Sequence, residues 1–184
     1  MTVRFSPPEI ETPRLLLRPF ERPDERPLVE LHAEASFWWY PFRRAWTAAE
    51  TTTFLDRVCA GYATGLGVAA VVDRQSGQLA GWAGLSTPDF LPELLPAVEI
   101  GWRLGERFRG RGYATEAGNA WLHHGFAQLR LDAIVSIFEP ENLASGRVMD
   151  RLGLAPHRVT VHPTLGVPLH VRRIDRLTWE ARGR

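Results

Sequence analysis

With 184 residues, 45% of them hydrophobic and 23% charged, the chain has the length and composition of one folded globular domain covering residues 1–184. No apolar run approaches the roughly 20 residues that cross a bilayer, and Met1–Glu11 lacks the apolar core of a secretory leader, so we expect a cytoplasmic protein without a membrane partner. The 22 basic residues are all arginine and face 21 acidic ones, which excludes chemistry that needs a lysine amine and gives no general positive field for nucleic acid.

The N-terminal part of the chain is predicted to form a strand and then a helix. Arg14–Phe20 has the apolar pattern of a strand, and Pro23–Glu34 places its leucines on one helical face. The next segment, Phe37–Trp46, is too aromatic and too interrupted by proline for regular structure. We expect it to be a loop that covers either the core or a pocket.

A second helix and a hairpin follow. Thr47 and Glu50 have the spacing of a capping box, which predicts a helix that starts there and runs to about Ala63. Val68–Val72 and Leu79–Leu85 are short apolar runs joined by a polar, glycine-containing turn, which predicts two paired strands. The single cysteine lies inside the predicted helix, and we expect an inert thiol in the core.

The second half of the chain alternates between strand and helix patterns. Its predicted elements are the strands Ala97–Leu104 and Ala133–Phe138, the helices Ala114–Leu129 and Asn142–Leu152, and a closing antiparallel pair, Val159–His162 with Leu169–Trp179. Gly101, inside the first of these strands, would mark a bulge or a close approach of another backbone. The order of elements predicts an α/β or α+β sheet with helices on its faces.

The segment Glu99–Ala117 passes from a strand through a loop rich in glycine and arginine into a helix. Gly110 and Gly112 would let the backbone approach a ligand closely, while the amides that open the helix have no partner and sit at its positive end. This combination favours binding of a phosphate group. A tight turn without a ligand would explain the glycines but not the arginines, which could themselves be a solvated basic surface.

The spacing R-x-x-G-x-G at Arg107, Gly110 and Gly112 resembles the pyrophosphate loop of the GCN5-related N-acetyltransferase (GNAT) superfamily, Q/R-x-x-G-x-G/A. Four blocks in the same order as in that family resemble its RimJ/RimL branch: ETPRLLLRP (11–19), AVEIGWRL (97–104), RGRGYATEA (109–117) and ENLASGRVMDRLGL (141–154). The residues that the resemblance assigns to coenzyme A in this loop are Arg107, Arg109, Gly110, Arg111, Gly112, Tyr113 and Ala114.

The resemblance implies a GNAT fold, with a mixed, mostly antiparallel sheet of about seven strands, helices on both faces and a splayed pair of central strands. It implies direct transfer of an acetyl group from acetyl-CoA to a primary amine, without a metal. The acceptor would be a protein N-terminus or a small molecule such as an antibiotic, a polyamine or an amino acid. A coenzyme A-binding module without catalytic activity stays open as an alternative, as does a monomer or a homodimer.

Further candidate residues lie beside the loop. Glu99, on the strand just before the loop, is the best-placed general base, acting directly or through water. The resemblance implies that Ser145 would protonate the departing thiolate and that Asn142 would contact the pantetheine arm. The arm would lie in a slot lined by Ile100, Gly101 and Trp102. Other interpretations remain, since Glu99 could pair with an arginine, and Asn142 and Ser145 could simply cap and begin a helix.

Overall fold

The computed structural model describes residues 7–62 and 66–183, and its central element is a sheet of eight strands. The strands are β1 (Ile10–Glu11), β2 (Leu15–Arg18), β3 (Gly67–Asp73), β4 (Leu79–Ser86), β5 (Val98–Leu104), β6 (Ala133–Phe138), β7 (Ala155–Val161) and β8 (Pro168–Asp175). They lie in the order β1-β2-β3-β4-β5-β6-β8-β7, antiparallel at every step except the parallel pair β5 and β6. The mostly antiparallel sheet is confirmed, with the two-residue β1 as an additional strand.

The helices in the described chain are α1 (Glu25–His32), α2 (Trp39–Phe42), α3 (Ala48–Gly61), α4 (Tyr113–His123), α5 (Leu143–Leu152) and α6 (Arg176–Arg182). The four predicted helices occur in the predicted order as α1, α3, α4 and α5, although α4 ends at His123 and a π-helical turn continues to Gln128. The prediction that Phe37–Trp46 lacks regular structure is wrong for the single turn of α2, whose Tyr40 has non-helical angles.

The capping box is confirmed, because the Thr47 side chain accepts a hydrogen bond from the Glu50 amide. The expected end of α3 at Ala63 lies outside the described residues. Across residues 7–62 and 66–183, no helix combines the length and apolar character needed to span a membrane.

The predicted strand Leu169–Trp179 is wrong in its last four residues. The Asp175 carboxylate accepts a hydrogen bond from the Thr178 amide at 2.8 Å, and this N-cap starts α6 where the sequence pattern still resembled a strand. Cys59 is exposed on the outer side of α3 instead of lying in the core. Burial is the largest of the effects that raise the pKa of its thiol.

The close approach of another backbone, expected at Gly101 on β5, occurs instead at Gly84 on the neighbouring strand β4. Gly101 pairs with Gly84 in an unbroken register, so it does not form a bulge. A Cβ atom at Gly84 would instead lie 2.4 Å from the carbonyl oxygen of Gly67 on β3, which leaves room for glycine alone.

Helices cover both faces of the sheet, as the alternation of side chains requires. On β3, Ala69 and Val71 belong to the hydrophobic cluster that contains Trp121 of α4. Ala70 and Val72 belong to a second cluster, built with residues of α1 and α3. The predicted arrangement of helices on both faces is therefore confirmed.

The two parallel strands separate soon after they begin. In the described chain, β5 and β6 pair at Val98 with Ile134 and at Glu99 with Val135, and then diverge. One further bond crosses the gap, from the Ser136 hydroxyl to the Ile100 carbonyl at 2.8 Å. The sheet is consequently open between the C-terminal ends of β5 and β6, and the expected splay is confirmed.

Candidate active site

The loop between β5 and α4 has a backbone that only glycine adopts readily. After a 3-10 turn at Glu106–Phe108, Gly110 has φ of +72° and Gly112 has φ of +82°. Both angles lie in the left-handed region, which is strained for other residues. Space is not the constraint at Gly110, because a Cβ there would meet nothing within 4 Å. The glycines are required by the path of the chain.

The loop ends at an uncapped helix N-terminus. Gly112 is the N-cap of α4 and provides no side chain, and no other described side chain caps this end. The Glu116 amide donates to the Gly112 carbonyl at 3.0 Å, so the amides of Tyr113, Ala114 and Thr115 precede the first helical acceptor. Three N–H groups without an intrahelical acceptor, at the positive end of a helix, can donate hydrogen bonds to an anion.

The three arginines of the loop have different surroundings. Arg109 donates from Nε to the Leu104 carbonyl and from a terminal nitrogen to the Ser36 carbonyl, both at 2.9 Å, so it braces the loop. Arg107 and Arg111 are exposed, and their guanidinium groups lie 4.8 and 6.0 Å from the Phe108 ring centroid. Their positions leave both of them able to face an anion held by the amides.

A second brace, which sequence reasoning missed, comes from the first strand region. Arg14 forms an ion pair with Glu116 at 2.6 Å and donates to the Arg111 carbonyl at 2.8 Å. The Tyr113 hydroxyl donates to Asp73 at 2.7 Å, which fixes the first residue of α4 to β3. The sequence signal was available, because Arg14 lies within the block ETPRLLLRP, but nothing in that block indicates its partner.

Glu99 lies on β5 at the point where the two strands part, and its neighbours Val98 and Ile100 face α4. Its half-buried side chain therefore points to the opposite face. Within the described residues its carboxylate forms no ion pair or hydrogen bond. Burial raises the pKa of Glu99 to about 7, while attraction by Arg103 lowers it. A carboxylate in this range accepts a proton near neutral pH.

The residues expected to line the pantetheine slot, Ile100, Gly101 and Trp102, differ in their burial and in their position relative to β6. The Ile100 side chain is fully buried, and its carbonyl accepts the hydrogen bond from Ser136. Gly101 and Trp102 follow on the part of β5 that no longer pairs with β6. These two residues therefore border the opening.

Arg103, also missed from the sequence, connects β5 to the aromatic segment Phe37–Trp46. It donates to the Phe37 carbonyl at 2.8 Å, and its guanidinium carbon lies 4.2 Å from the centroid of Trp38. Trp38 in turn stacks on Trp46, with ring centroids 3.7 Å apart. Phe37 and Trp38 are buried, so this half of the segment covers the core.

The other half of the aromatic segment crosses to the end of β6. The guanidinium of Arg43 contacts Glu139 at 2.5 Å and Glu141 at 3.5 Å, and the Tyr40 hydroxyl donates to the Glu141 carbonyl at 3.2 Å. Trp39 is 48% exposed. One half of the segment therefore covers the core, and the other half contacts the residues that follow β6.

Asn142 and Ser145 lie at the start of α5, just after β6. The Asn142 side-chain oxygen accepts a hydrogen bond from the Ser145 amide at 3.1 Å, so Asn142 is the N-cap of α5. The Ser145 hydroxyl is half-buried and has no hydrogen-bond partner among the described residues. The fold thus brings these two residues to the β6 side of the opening, with Glu99 and the loop on the β5 side.

The sheet with one splayed parallel pair, followed by a glycine-rich loop at a helix N-terminus, defines the class of protein as an acetyltransferase. The acetyltransferase (GNAT) domain model matches residues 14–155, and the chain belongs to this family of N-acetyltransferases. Acetyltransferases of the GNAT family use acetyl-CoA as the acetyl donor.

Individual relatives agree with this assignment. The chain is 29% identical over 145 residues to the uncharacterized N-acetyltransferase YnaD of Bacillus subtilis, covering 79% of this chain and 81% of YnaD. An acetyltransferase structure from Agrobacterium tumefaciens is 27% identical, with a TM-score of 0.75 over 95% of this chain and 98% of that one. A GNAT-family acetyltransferase from Bacillus anthracis has the same fold, with 23% identity and a TM-score of 0.78 over 92% of this chain and 99% of that chain.

Proposed function

We propose that the chain, as one domain of residues 1–184, transfers an acetyl group directly from acetyl-CoA to the α-amine of a peptide N-terminus. The observation that carries the proposal is the opening between β5 and β6 beside the uncapped N-terminus of α4. The acceptor is inferred from the blocks that resemble the RimJ/RimL branch. An α-amine has a pKa near 8, so a carboxylate base suffices to deprotonate it.

In this proposal the coenzyme lies on the α4 side of the opening. The amides of Tyr113–Thr115 would hold the pyrophosphate, and Arg107 and Arg111 would approach it from outside. Arg109 would contribute by fixing the loop, since its donors are bound to carbonyl groups. The pantetheine arm would pass between β5 and β6, with Asn142 at its side.

The transfer can be written with each proton accounted for. Glu99 accepts a proton from the acceptor ammonium, and the neutral amine attacks the thioester carbonyl. The new C–N bond forms as the C–S bond breaks, and Ser145 passes its hydroxyl proton to the thiolate sulfur. The nitrogen releases two protons in all, the first to Glu99 and the second replacing the one that Ser145 gave up.

One observation favours a second acceptor class, a small apolar or aromatic amine. Trp39 and Phe42 are 48% and 38% exposed on the part of the aromatic segment that reaches the end of β6. Exposed aromatic rings beside an opening suit a small apolar body as well as the first side chain of a peptide.

A thiol-release assay with purified protein tests the proposal. We expect coenzyme A to appear with acetyl-CoA and N-terminal peptides, and with no amine present only at the background rate. If peptides are ignored while a small amine reacts with kcat/KM above roughly 10⁴ M⁻¹s⁻¹, the acceptor is wrong and the acetyl transfer stands. Acetyl-CoA binding without turnover on any amine would instead indicate a binding module.

A further inference from the structure

Glu139 carries a buried carboxylate oxygen without a partner. It follows the last residue of β6 and is 5% exposed. Its Oε2 atom accepts a hydrogen bond from Arg43 at 2.5 Å, whereas Oε1 is buried and has no hydrogen-bond partner among the described residues. Withdrawing such an atom from water without a donor costs free energy. This oxygen therefore has an acceptor position that remains open to a further donor.

The position of Glu139 puts it on the acceptor side of the opening. On β6, Val135 and Ile137 pack into the cluster on the face away from α4, and alternation brings Glu139 to the same face. Glu99 pairs with Val135 and also faces away from α4. Arg43 reaches Glu139 from the aromatic segment that lies over this region. The two carboxylates thus flank the opening on one face.

The nearby positive charges leave Oε1 of Glu139 without a donor, although Nε of Arg103 is also buried and has no hydrogen-bond partner among the described residues. Arg43 is shared between Glu139 and Glu141, and Arg103 donates to the Phe37 carbonyl while stacking on an indole ring. Burial lowers the pKa of Arg103 to about 10, against the attraction of Glu99 and Glu139, which raises it. Arg103 is therefore close to both carboxylates, yet it leaves Oε1 of Glu139 without a donor.

We propose that Oε1 of Glu139 accepts a hydrogen bond from the ammonium group of the acceptor, and so selects cationic amines over uncharged molecules of the same shape. The inference rests on the proposed function. The substrate class is a primary amine, positively charged in solution, attached to an apolar or aromatic body that contacts Trp39 and Phe42. Glu139 binds this cation, and Glu99 removes its proton.

Binding of two matched probes to the coenzyme A-saturated protein tests the inference without requiring turnover. 2-Phenylethylamine is a cation at neutral pH, and 2-phenylethanol is its uncharged counterpart on the same carbon skeleton. Coenzyme A, in place of acetyl-CoA, carries no acetyl group that could be transferred to the amine. By calorimetry we expect the cation to bind at least about 10-fold more tightly, the usual scale of a charge-assisted hydrogen bond. A wild-type protein that does not prefer the cation contradicts the inference.

The Glu139→Gln variant should lower this cation preference by about 10-fold while leaving coenzyme A affinity unchanged. Glu141→Gln is the matched control, because it makes the same change in a carboxylate that contacts the same arginine but is 77% exposed. We expect the control to keep the wild-type preference. An unchanged preference in Glu139→Gln overturns the inference.

The Arg43→Gln variant distinguishes direct contact of Glu139 with the acceptor from an indirect role in holding Arg43. If Glu139 acts only by holding Arg43, then Arg43→Gln lowers the cation preference as much as Glu139→Gln, the double variant adds nothing, and the inference is wrong. If Glu139→Gln does not fold, Glu139→Asp decides, since it keeps the charge but withdraws it by one carbon. An Asp variant that prefers the cation as strongly as the wild type would then count against the contact.

The two proposals fail in different ways. Absence of thiol release with every amine contradicts the proposed function. A protein that releases thiol but binds both probes equally contradicts the role of Glu139 alone.

Discussion

The two sides of the β5–β6 opening are built from different materials. On the α4 side Arg109 and Arg14 brace the loop, and the groups that remain for a ligand are backbone amides together with the exposed Arg107 and Arg111. On the other side they are the carboxylate of Glu99 and one oxygen of Glu139, whose second oxygen is bonded to Arg43. Backbone donors keep their position when side chains change, so they suit a ligand that is always the same. Side chains can be replaced singly, which suits a ligand that differs between relatives.

The largest effect is expected from a substitution on the carboxylate side of the opening. Glu99→Gln removes the proposed base, and its loss should lower kcat by about 10²- to 10⁴-fold, the usual range for a general base. In the wild type, kcat/KM should rise with pH through about 7 as Glu99 ionises. This rise should be absent from the pH profile of the variant, and a rise that persists would assign the base to another group.

Ser145→Ala tests the β6 side of the opening. A general acid acts in the transition state, so the variant should lose about 10²-fold or more in kcat with little change in KM for acetyl-CoA. The helix cap survives, since Asn142 bonds the backbone amide of residue 145 and not its side chain. Unchanged turnover in steady-state kinetics would leave Ser145 with a structural role only.

Gly112→Asp breaks the backbone site. The new carboxylate would compete for the amides of α4 and repel the pyrophosphate, and we expect acetyl-CoA affinity to fall by about 100-fold in calorimetry. Gly77→Asp is the matched control, because Gly77 also has a positive φ, of +67°, in the β3–β4 turn. The control should bind acetyl-CoA normally, and equal loss in both variants would attribute the effect to backbone strain.

The smallest expected effect is on the thermal stability of the Glu99→Gln variant. Glu99 has an ordinary pKa of 4.5, raised to about 7 by burial, so the folded chain holds this proton more tightly than the unfolded chain does. The stability contributed by this proton is present below about pH 4.5 and is lost as pH rises towards 7. Glu99→Gln should therefore gain melting temperature relative to the wild type at pH 8 and not at pH 4, by calorimetry. An equal difference at both pH values would show that burial does not penalise the charge.

The backbone site could be predicted from the sequence because its determinants are local. Gly110 and Gly112 are needed for the path of the loop itself, and a helix N-terminus follows directly from the pattern after them. The capping box at Thr47 and Glu50 is equally local. Patterns within a few residues are sufficient for features of this kind.

The acceptor side could be predicted only in part, because its contacts join distant segments. Glu99 is a candidate because of its place on the strand before the loop, but the Arg43–Glu139 pair spans 96 positions and has no local signature. Arg103 and the Phe37 carbonyl are likewise brought together by the fold alone. The error at α6 had the opposite cause, since alternation continued past Asp175 while a cap had already begun a helix.

The short pairing of β5 with β6 also affects the rate of hydrogen–deuterium exchange at the main-chain amides of β5. The sheet consists of one group from β1 to β5 and another of β6, β8 and β7, joined in the described chain by two residue pairs. Main-chain amides of Gly101–Leu104 that point away from β4 have no ladder partner across the gap. Deuterium should enter them by local solvent access, long before the flanking strands open, although they lie in the middle of the sheet. A molecule lying in the gap would slow that exchange and leave the outer strands unchanged.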